Sequence, residues 1–297
     1  MKIICVLGGA GFVGHAIVRQ LSEAGYLVKV LTRNCRKCKH LIDIKNVQII
    51  ECDALNTTDL KQSLRGANAV INLIGILHES KQIRFETIHA DLPKRLGIIC
   101  NELGVPRFLN MSALQASESA PSNYLRSKGQ GEKYLAELSD QLDITVFKPS
   151  VIFGPCDGFI NLFAKLIKIL PVILLAKPNA KFQPIYVEDV ARAVVQSITH
   201  KKTFGKTYEL AGPRVYTLRE IIKLVAKQLN KKRLIIGLND GLSYLQAAAM
   251  ECLPVKLMTR DNVRSMQVDS ISSEDFPDYL DFKPSSLESI LPSYIHR

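Results

Sequence analysis

No apolar run in this 297-residue chain reaches the ~18 to 20 consecutive residues that a membrane-spanning helix needs, so no span is predicted. Its seven cysteines form no even, regularly spaced framework. That excludes a disulfide-stapled secreted scaffold and predicts reduced thiols in a cytoplasmic setting. There is no internal repeat and no low-complexity linker, which excludes solenoids and disordered tethers. Acidic residues are short: 28 Asp plus Glu stand against 39 Lys plus Arg, a formal net charge of +11. Such a balance favours an anionic partner, whether a nucleotide, a nucleic acid or an acidic membrane surface. The basic clusters at 33–45, at Lys201 and Lys202, and at 231–233 lack the interleaved aromatics of a single-stranded nucleic-acid groove. Nucleic acid is therefore not the expected partner.

What is present is ordinary globular material: 47% hydrophobic and 23% charged residues, in a chain long enough to hold a core without staples. Lys2 is the only charge before a short apolar run that stops at Gly8 and Gly9, which reads as a buried strand rather than a secretory signal. Further strands are predicted at 27–31, 47–52, 69–74, 108–111 and 144–147, and helices at 12–24, 59–64, 86–103 and 124–138. This alternation predicts an α/β fold, a doubly wound parallel sheet (Rossmann fold) over residues 1–155. After Pro149 the rhythm changes. An apolar stretch at 159–176, broken by Lys165, Lys168 and Pro171, precedes a strand at 182–187, a helix at 188–199 and a strand at 207–210. A helix at 217–229 and a strand at 234–236 follow, and the remainder is less regular. Residues 156–297 are expected to form a smaller C-terminal substrate domain, interleaved with the main sheet near 182–200.

The strongest local signal is the run from Gly8 to Gly14, which satisfies G-x-G-x-x-G at Gly9, Gly11 and Gly14 and G-x-x-G-x-x-G at Gly8, Gly11 and Gly14. Glycines there permit a tight turn, a close approach of backbone to a pyrophosphate, and close packing of helix on strand. The helix that opens at Phe12 and Val13 turns free N–H groups and a positive dipole end toward the phosphates. The second strand ends Leu31-Thr32-Arg33-Asn34, with no carboxylate before Asp43 to take a ribose 2′-hydroxyl. Arg33 can clamp a 2′-phosphate instead, reinforced by Arg36, Lys37 and Lys39. NADP(H) is the preferred cofactor and NAD(H) the alternative. Asp53, after the third strand, is placed to accept from the adenine amino group, and Gly75, after the fourth, lets backbone pass close to the ribose.

Tyr124 and Lys128 are spaced i, i+4 on one helical face, and Ser112 ends the preceding strand. A tyrosine near its usual pKa of ~10 is a poor acid-base group at neutral pH. A neighbouring ammonium stabilises the phenolate and is expected to bring its pKa down. Lys128 can also hold the nicotinamide ribose, while Ser112 holds a substrate oxygen.

These residues together resemble the extended short-chain dehydrogenase/reductase superfamily, which is NAD-dependent epimerase/dehydratase-like. The segments NMSALQA, YLRSKGQGEKYL, FKPSVIFGP, FQPIYVEDVARAVV and YELAGPRVYTLREII are similar to an atypical branch of it. That branch holds the nucleotide-binding accessory subunit of respiratory complex I and its bacterial relatives. The resemblance runs from residue 2 to about residue 230 and implies a Rossmann domain, a small C-terminal substrate domain and usually NADPH. It places the phosphate loop on Gly8, Gly11 and Gly14, the 2′-phosphate at Arg33, adenine at Asp53, and the active pair on Tyr124 and Lys128. It sets Pro149 to Ile152 beside the nicotinamide. Two departures stand out: His89 replaces an asparagine common in extended enzymes, and the serine-to-tyrosine interval is shorter than in sugar-nucleotide epimerases. The accessory subunit acts structurally, so an intact Tyr-Lys pair does not by itself imply turnover.

Other candidates carry blander readings. Cys35 and Cys38, with His40 nearby, have half of a zinc set without its second half, and reduced thiols in a basic loop are expected, with no metal. Glu188 and Asp189 open a helix and complement its dipole, and His200 is read as structural. The apolar stretch at 159–176 is read as core, as a wall over a hydrophobic substrate, or as a membrane-interface segment with snorkelling lysines. The expected function is an NADPH-dependent oxidoreductase acting on a hydrophobic or quinone-like carbonyl. The alternative is a non-catalytic NADPH-binding subunit or assembly factor touching a respiratory membrane complex. Either way a cytoplasmic protein is expected, with peripheral contact at the inner membrane surface.

Overall fold

The computed structural model describes residues 1–253 and 257–296. Seven parallel strands form the central sheet. They are β1 (Ile3–Leu7), β2 (Leu27–Thr32), β3 (Val47–Glu51), β4 (Ala69–Asn72), β5 (Arg107–Met111) and β6 (Asp143–Pro149), with β11 (Lys206–Leu210) at one edge. Their spatial order is β3-β2-β1-β4-β5-β6-β11. The order reverses between β1 and β4, and the crevice at the carboxyl ends of those two strands is where open α/β sheets bind ligands.

Both faces are covered, which is why the inner strands read as near-continuous apolar runs. Along β1, Ile4 and Val6 face one core cluster while Cys5 and Leu7 face the other. The first cluster is closed by α1 (Phe12–Glu23) and α6 (Val187–Ser197), through Ile17, Leu21, Val190 and Val194. The second is closed by α2 (Thr57–Leu64), α3 (Leu92–Glu102) and α4 (Asn123–Ala136), through Leu60, Leu96, Ile99 and Leu135.

One helix expected to run unbroken does not. Thr87–Asp91 is a π-helical turn, and α3 begins only after it. Pro93 in the first turn of α3 has no N–H to offer the carbonyl of His89 four residues back, so the regular ladder cannot extend through this point.

The second half forms a third core around α5 (Ile160–Ile169), α7 (Leu218–Gln228) and α10 (Leu287–Tyr294). Small strands accompany it: β7 (Ile152–Phe153) with β10 (Ile185–Tyr186), β8 (Val172–Leu175) with β13 (Leu234–Gly237), and β9 (Lys181–Phe182) with β12 (Tyr216–Thr217). The less regular remainder contains two further helices, α8 (Asp240–Glu251) and α9 (Arg260–Ser265). The chain then straps back over the first half: Ser270 bridges to Phe182, and Tyr279 and Leu280 join the first core. Among the described residues no helix is long and apolar enough to cross a membrane.

Candidate nucleotide and active site

The glycine loop turns at Gly8, whose φ of +80 lies in the region that favours glycine and whose carbonyl accepts from Gly11 N at 3.0 Å. At Gly14 a Cβ would lie 2.3 Å from the Gly8 oxygen and 2.6 Å from Gly9 Cα, so helix and loop touch backbone to backbone. Helix α1 has Gly11 as its N-cap and no side-chain cap. Its first N–H groups, beyond Phe12 and Val13, are left for an anion, while those two side chains pack toward the first core. A cradle that a methyl group would fill, facing an uncapped helix end, fits a dinucleotide pyrophosphate.

Arg33 is exposed directly after β2. Asn34 follows it and caps a 3₁₀ turn, its Oδ1 accepting from Arg36 N at 3.0 Å, which holds exposed Arg36 and Lys39 on the same short loop. Asp53 is exposed beyond β3, with Oδ1 accepting from Leu55 N at 3.0 Å and fixing the carboxylate. Gly75 is the link between the two halves of the site. A Cβ there would lie 3.6 Å from His89 Nε2 and 3.6 Å from Lys128 Nζ. Pro149 is buried at the end of β6, where its carbonyl accepts from Leu114 N, and Ile152 is half-buried opposite Ile185.

Helix α4 is held from two directions. Ser122 Oγ accepts from Leu125 N at 3.2 Å, and the Asp261 carboxylate of α9 accepts from Asn123 N at 2.8 Å and Tyr124 N at 3.0 Å. Tyr124 is half-buried, and its hydroxyl has no hydrogen bond among the described residues. Its ring stands edge-on to His89 at 5.3 Å and to Phe85 at 5.9 Å. Contrary to the lowering expected from a neighbouring ammonium, burial pushes the phenol up to about 12. Lys128 is buried and donates to the Met111 carbonyl at 2.9 Å; burial lowers it to about 8, and the Glu132 carboxylate opposes that fall.

Ser112 lies where the sequence places it, at the end of β5, but its hydroxyl donates to Glu132 Oε1. It therefore keeps lone pairs, and no proton, for a substrate oxygen. Glu132 Oε2 accepts in turn from Lys148 Nζ at 3.1 Å, and Lys148 also donates to the Ala116 carbonyl. Burial raises the Glu132 carboxyl above its usual range, with the Ser112 and Lys148 contacts pulling the other way.

His89 is part of the scaffold around this pair. Its Nε2 accepts from Ile76 N at 3.0 Å, so the proton sits on Nδ1 and is donated to Ser127 Oγ at 2.9 Å. Ser127 passes the chain on by donating to the Tyr124 carbonyl at 2.8 Å. Burial, then the Lys128 charge, push the imidazole down to about 2, which keeps it neutral. His89 thus positions Tyr124 and the segment that follows β4 and exchanges no proton.

Sequence reasoning did not find Ser127, Glu132, Lys148 or Asp261. Glu132 had a signal: it repeats the four-residue step from Tyr124 and Lys128 along one face of α4. Asp261 had none, because 137 residues separate it from its partner Tyr124. The other candidates are placed in structural roles. Cys38 is buried, with Sγ turned toward the Asn34 carbonyl, and among the described residues no three His, Cys, Asp or Glu side chains come together as a metal set. Glu188 accepts from Arg19 and Gln20, Asp189 accepts from Ser285 N, and His200 packs against Tyr279 at 5.1 Å.

Comparison with known proteins agrees with this geometry. Residues 4–211 match the model of the NAD dependent epimerase/dehydratase family. Over 96% of its length the chain is 30% identical to the NADH dehydrogenase (ubiquinone) 1 alpha subcomplex subunit 9, mitochondrial, of Arabidopsis thaliana, covering 75% of that protein. It is 27% identical to the ceramide reductase of Caulobacter vibrioides, over 80% of this chain and 74% of that one. Among solved structures, an NADPH-dependent quinone oxidoreductase from Escherichia coli, complexed with NADPH, shares the fold with a TM-score of 0.76 at 18% identity, covering 96% of this chain and 97% of that one. The matched stretch carries the glycine loop, the Tyr124-Lys128 helix and the last strand of the sheet, and by that match this chain belongs to the NAD dependent epimerase/dehydratase family.

Proposed function

We propose that the chain binds NADP(H) between the glycine loop and α4 and reduces a hydrophobic or quinone-like carbonyl. The observation that carries this reading is Tyr124, half-buried, its hydroxyl protonated and without a hydrogen-bond partner among the described residues, one helical turn from Lys128. When bound, the dinucleotide supplies the hydride. Tyr124 Oη releases its proton to the carbonyl oxygen; held at about 12 the phenol is fully protonated but a weak acid, so release depends on stabilisation of the phenolate by Lys128. Lys128 Nζ stabilises the phenolate left behind and anchors the nicotinamide ribose. Pro149 and Ile152 wall the nicotinamide side, Asp53 and Gly75 border the adenosine, and Ser112, its proton directed to Glu132, borders the carbonyl without donating to it. The ceramide reductase and the quinone oxidoreductase among the similar proteins support a hydrophobic carbonyl as substrate.

Arg33 sets the preference for NADPH. Arg33→Ala is expected to weaken NADPH binding about ten- to a hundredfold, as loss of a charge-assisted contact does, and to leave NADH within about twofold. Calorimetry with both cofactors checks this; equal losses for the two would remove the 2′-phosphate from Arg33.

The Lys128 charge gives the reaction a pH limit. Its pKa is lowered by burial, so the cation is complete below about 8 and is lost as pH rises through that value. Turnover at saturating NADPH is expected to fall about tenfold per pH unit on the alkaline side, and Lys128→Arg to move that limb out of range. A flat wild-type profile through the alkaline range would separate Lys128 from the proton step.

A second reading draws on the plant mitochondrial relative: a non-catalytic NADPH-binding subunit or assembly factor of a respiratory membrane complex, cytoplasmic and peripheral at the inner membrane surface. It needs the glycine loop and Arg33 and has no use for the Tyr124 hydroxyl.

A further inference from the structure

One surface far from the glycine loop in sequence departs from what water-facing strands normally display. β8 and β13 form a two-stranded parallel ribbon with Val172 opposite Leu234 and Leu174 opposite Ile236. Period-two alternation sends Ile173 and Leu175 into the third core. The other face stays open: Val172 is 39%, Leu174 54%, Leu234 60% and Ile236 42% exposed. At the end of α5 Ile169 adds a residue 76% exposed. Helix α8 adjoins the ribbon through Gln246 Nε2, which donates to the Leu174 carbonyl, and it carries exposed Leu242 and Leu245. Single exposed leucines need no explanation, but a contiguous aliphatic face does.

The charge around it is predominantly positive. Segments 158–177 and 229–238 contain Lys165, Lys168, Lys177, Lys231, Lys232 and Arg233 and no Asp or Glu. Lys177 is paired with Asp240 at 2.8 Å, whereas Lys165, Lys168, Lys231 and Lys232 are exposed. Arg233 folds onto the end of α5, its Nε donating to the Ile167 carbonyl at 2.7 Å, which gathers the two basic segments at one end of the apolar ribbon.

We propose that this face docks on an anionic lipid bilayer, the aliphatic side chains entering the headgroup boundary and the lysines meeting lipid phosphates. The two strands themselves carry no aromatic, methionine or carboxylate; at the rim, on α8, stand Tyr244 and Asp240, the latter taken up by Lys177, which leaves the exposed lysines to meet phosphates. The proposal rests on the peripheral-membrane reading and names the surface responsible.

The test is flotation of the full chain with vesicles of phosphatidylcholine alone and of phosphatidylcholine mixed with phosphatidylglycerol. Anionic vesicles are expected to carry the protein and neutral ones to leave it behind. Leu174→Glu, and separately Lys231→Glu with Lys232→Glu, are expected to weaken that binding about tenfold or more, with NADPH affinity unchanged as the check on folding. No binding of the wild type to anionic vesicles would overturn both the proposal and the peripheral reading. Undiminished binding of Leu174→Glu would overturn the proposal alone. A wild-type dimer in sedimentation that becomes monomeric in Leu174→Glu would overturn it in favour of a second copy of the chain.

Discussion

Tyr124→Phe is expected to lower turnover about 10²- to 10⁴-fold, the range that a positioned general acid supplies, while leaving the NADPH dissociation constant within about twofold. The two effects separate because of where the ring and its oxygen sit. The ring packs edge-on to His89 at 5.3 Å and Phe85 at 5.9 Å, contacts that phenylalanine keeps. The hydroxyl has no hydrogen bond to lose among the described residues, so no buried partner there is orphaned and folding stability is expected to stay within about 0.5 kcal/mol. Single-turnover oxidation of bound NADPH with a quinone acceptor, alongside cofactor titration, measures both. Turnover equal to wild type would move the proton to another donor and sink the catalytic assignment. In-cell function that survives loss of turnover would favour the scaffold reading, because a subunit needs the nucleotide and not the phenol.

The parts of the fold legible in the sequence are those whose signals are local. β1 is bounded by Gly8, α1 ends before Gly25, and the β-α alternation through β6 follows from apolar runs of strand length separated by helical periods. The same holds for the site: glycine spacing and the four-residue step from Tyr124 to Lys128 are both within one element. What the sequence did not disclose depends on residues far apart. The π-helical turn at Thr87–Asp91 has a local cause in Pro93, yet its consequence is distant: a Cβ on Gly131 of α4 would lie 2.0 Å from the His89 carbonyl. The helices can meet there only because position 131 has no side chain. Likewise Ser112 at a strand end suggests a substrate contact, and only the packing of α4 against β6 reveals that its proton is directed to Glu132 and backed by Lys148. The Asp261 carboxylate on the first N–H groups of α4 comes from a helix that short polar sequence made hard to anticipate.

His89 and Glu132 give the site a common logic. His89 is buried and Glu132 half-buried, each interacting with the Lys128 charge, and each fixes a neighbour by hydrogen bonds. His89 fixes the backbone at Ile76 and, through Ser127, the turn that carries Tyr124. Glu132 fixes Ser112 and lends Lys128 enough negative potential to offset part of its desolvation. Under the proposed reaction, the tyrosine that gives its proton and the lysine that keeps its charge are thereby held on one turn of α4.

Gly14→Ala is the most damaging single methyl group foreseen at the nucleotide site. Its Cβ would stand 2.3 Å from the Gly8 carbonyl oxygen, 2.6 Å from Gly9 Cα and 2.7 Å from the Gly9 carbonyl carbon, all backbone atoms that no rotamer change can move. Relief requires α1 to lift from the loop, and α1 is seated by buried Ile17, Val18 and Leu21. The expected destabilisation is about 2–4 kcal/mol, in the upper range for overpacking. NADPH affinity is expected to fall about a hundredfold or more, because the N–H groups of the first turn lose their aim at the pyrophosphate. Gly25→Ala is the control: it meets nothing within 4 Å but holds a φ of +81, so it costs about 1–2 kcal/mol of strain and leaves the phosphate turn untouched. Urea unfolding and calorimetry on both variants separate a loss of stability from a loss of binding. Wild-type NADPH affinity in Gly14→Ala would mean that the phosphates do not rest on this turn, and the nucleotide would have to be placed elsewhere on the sheet.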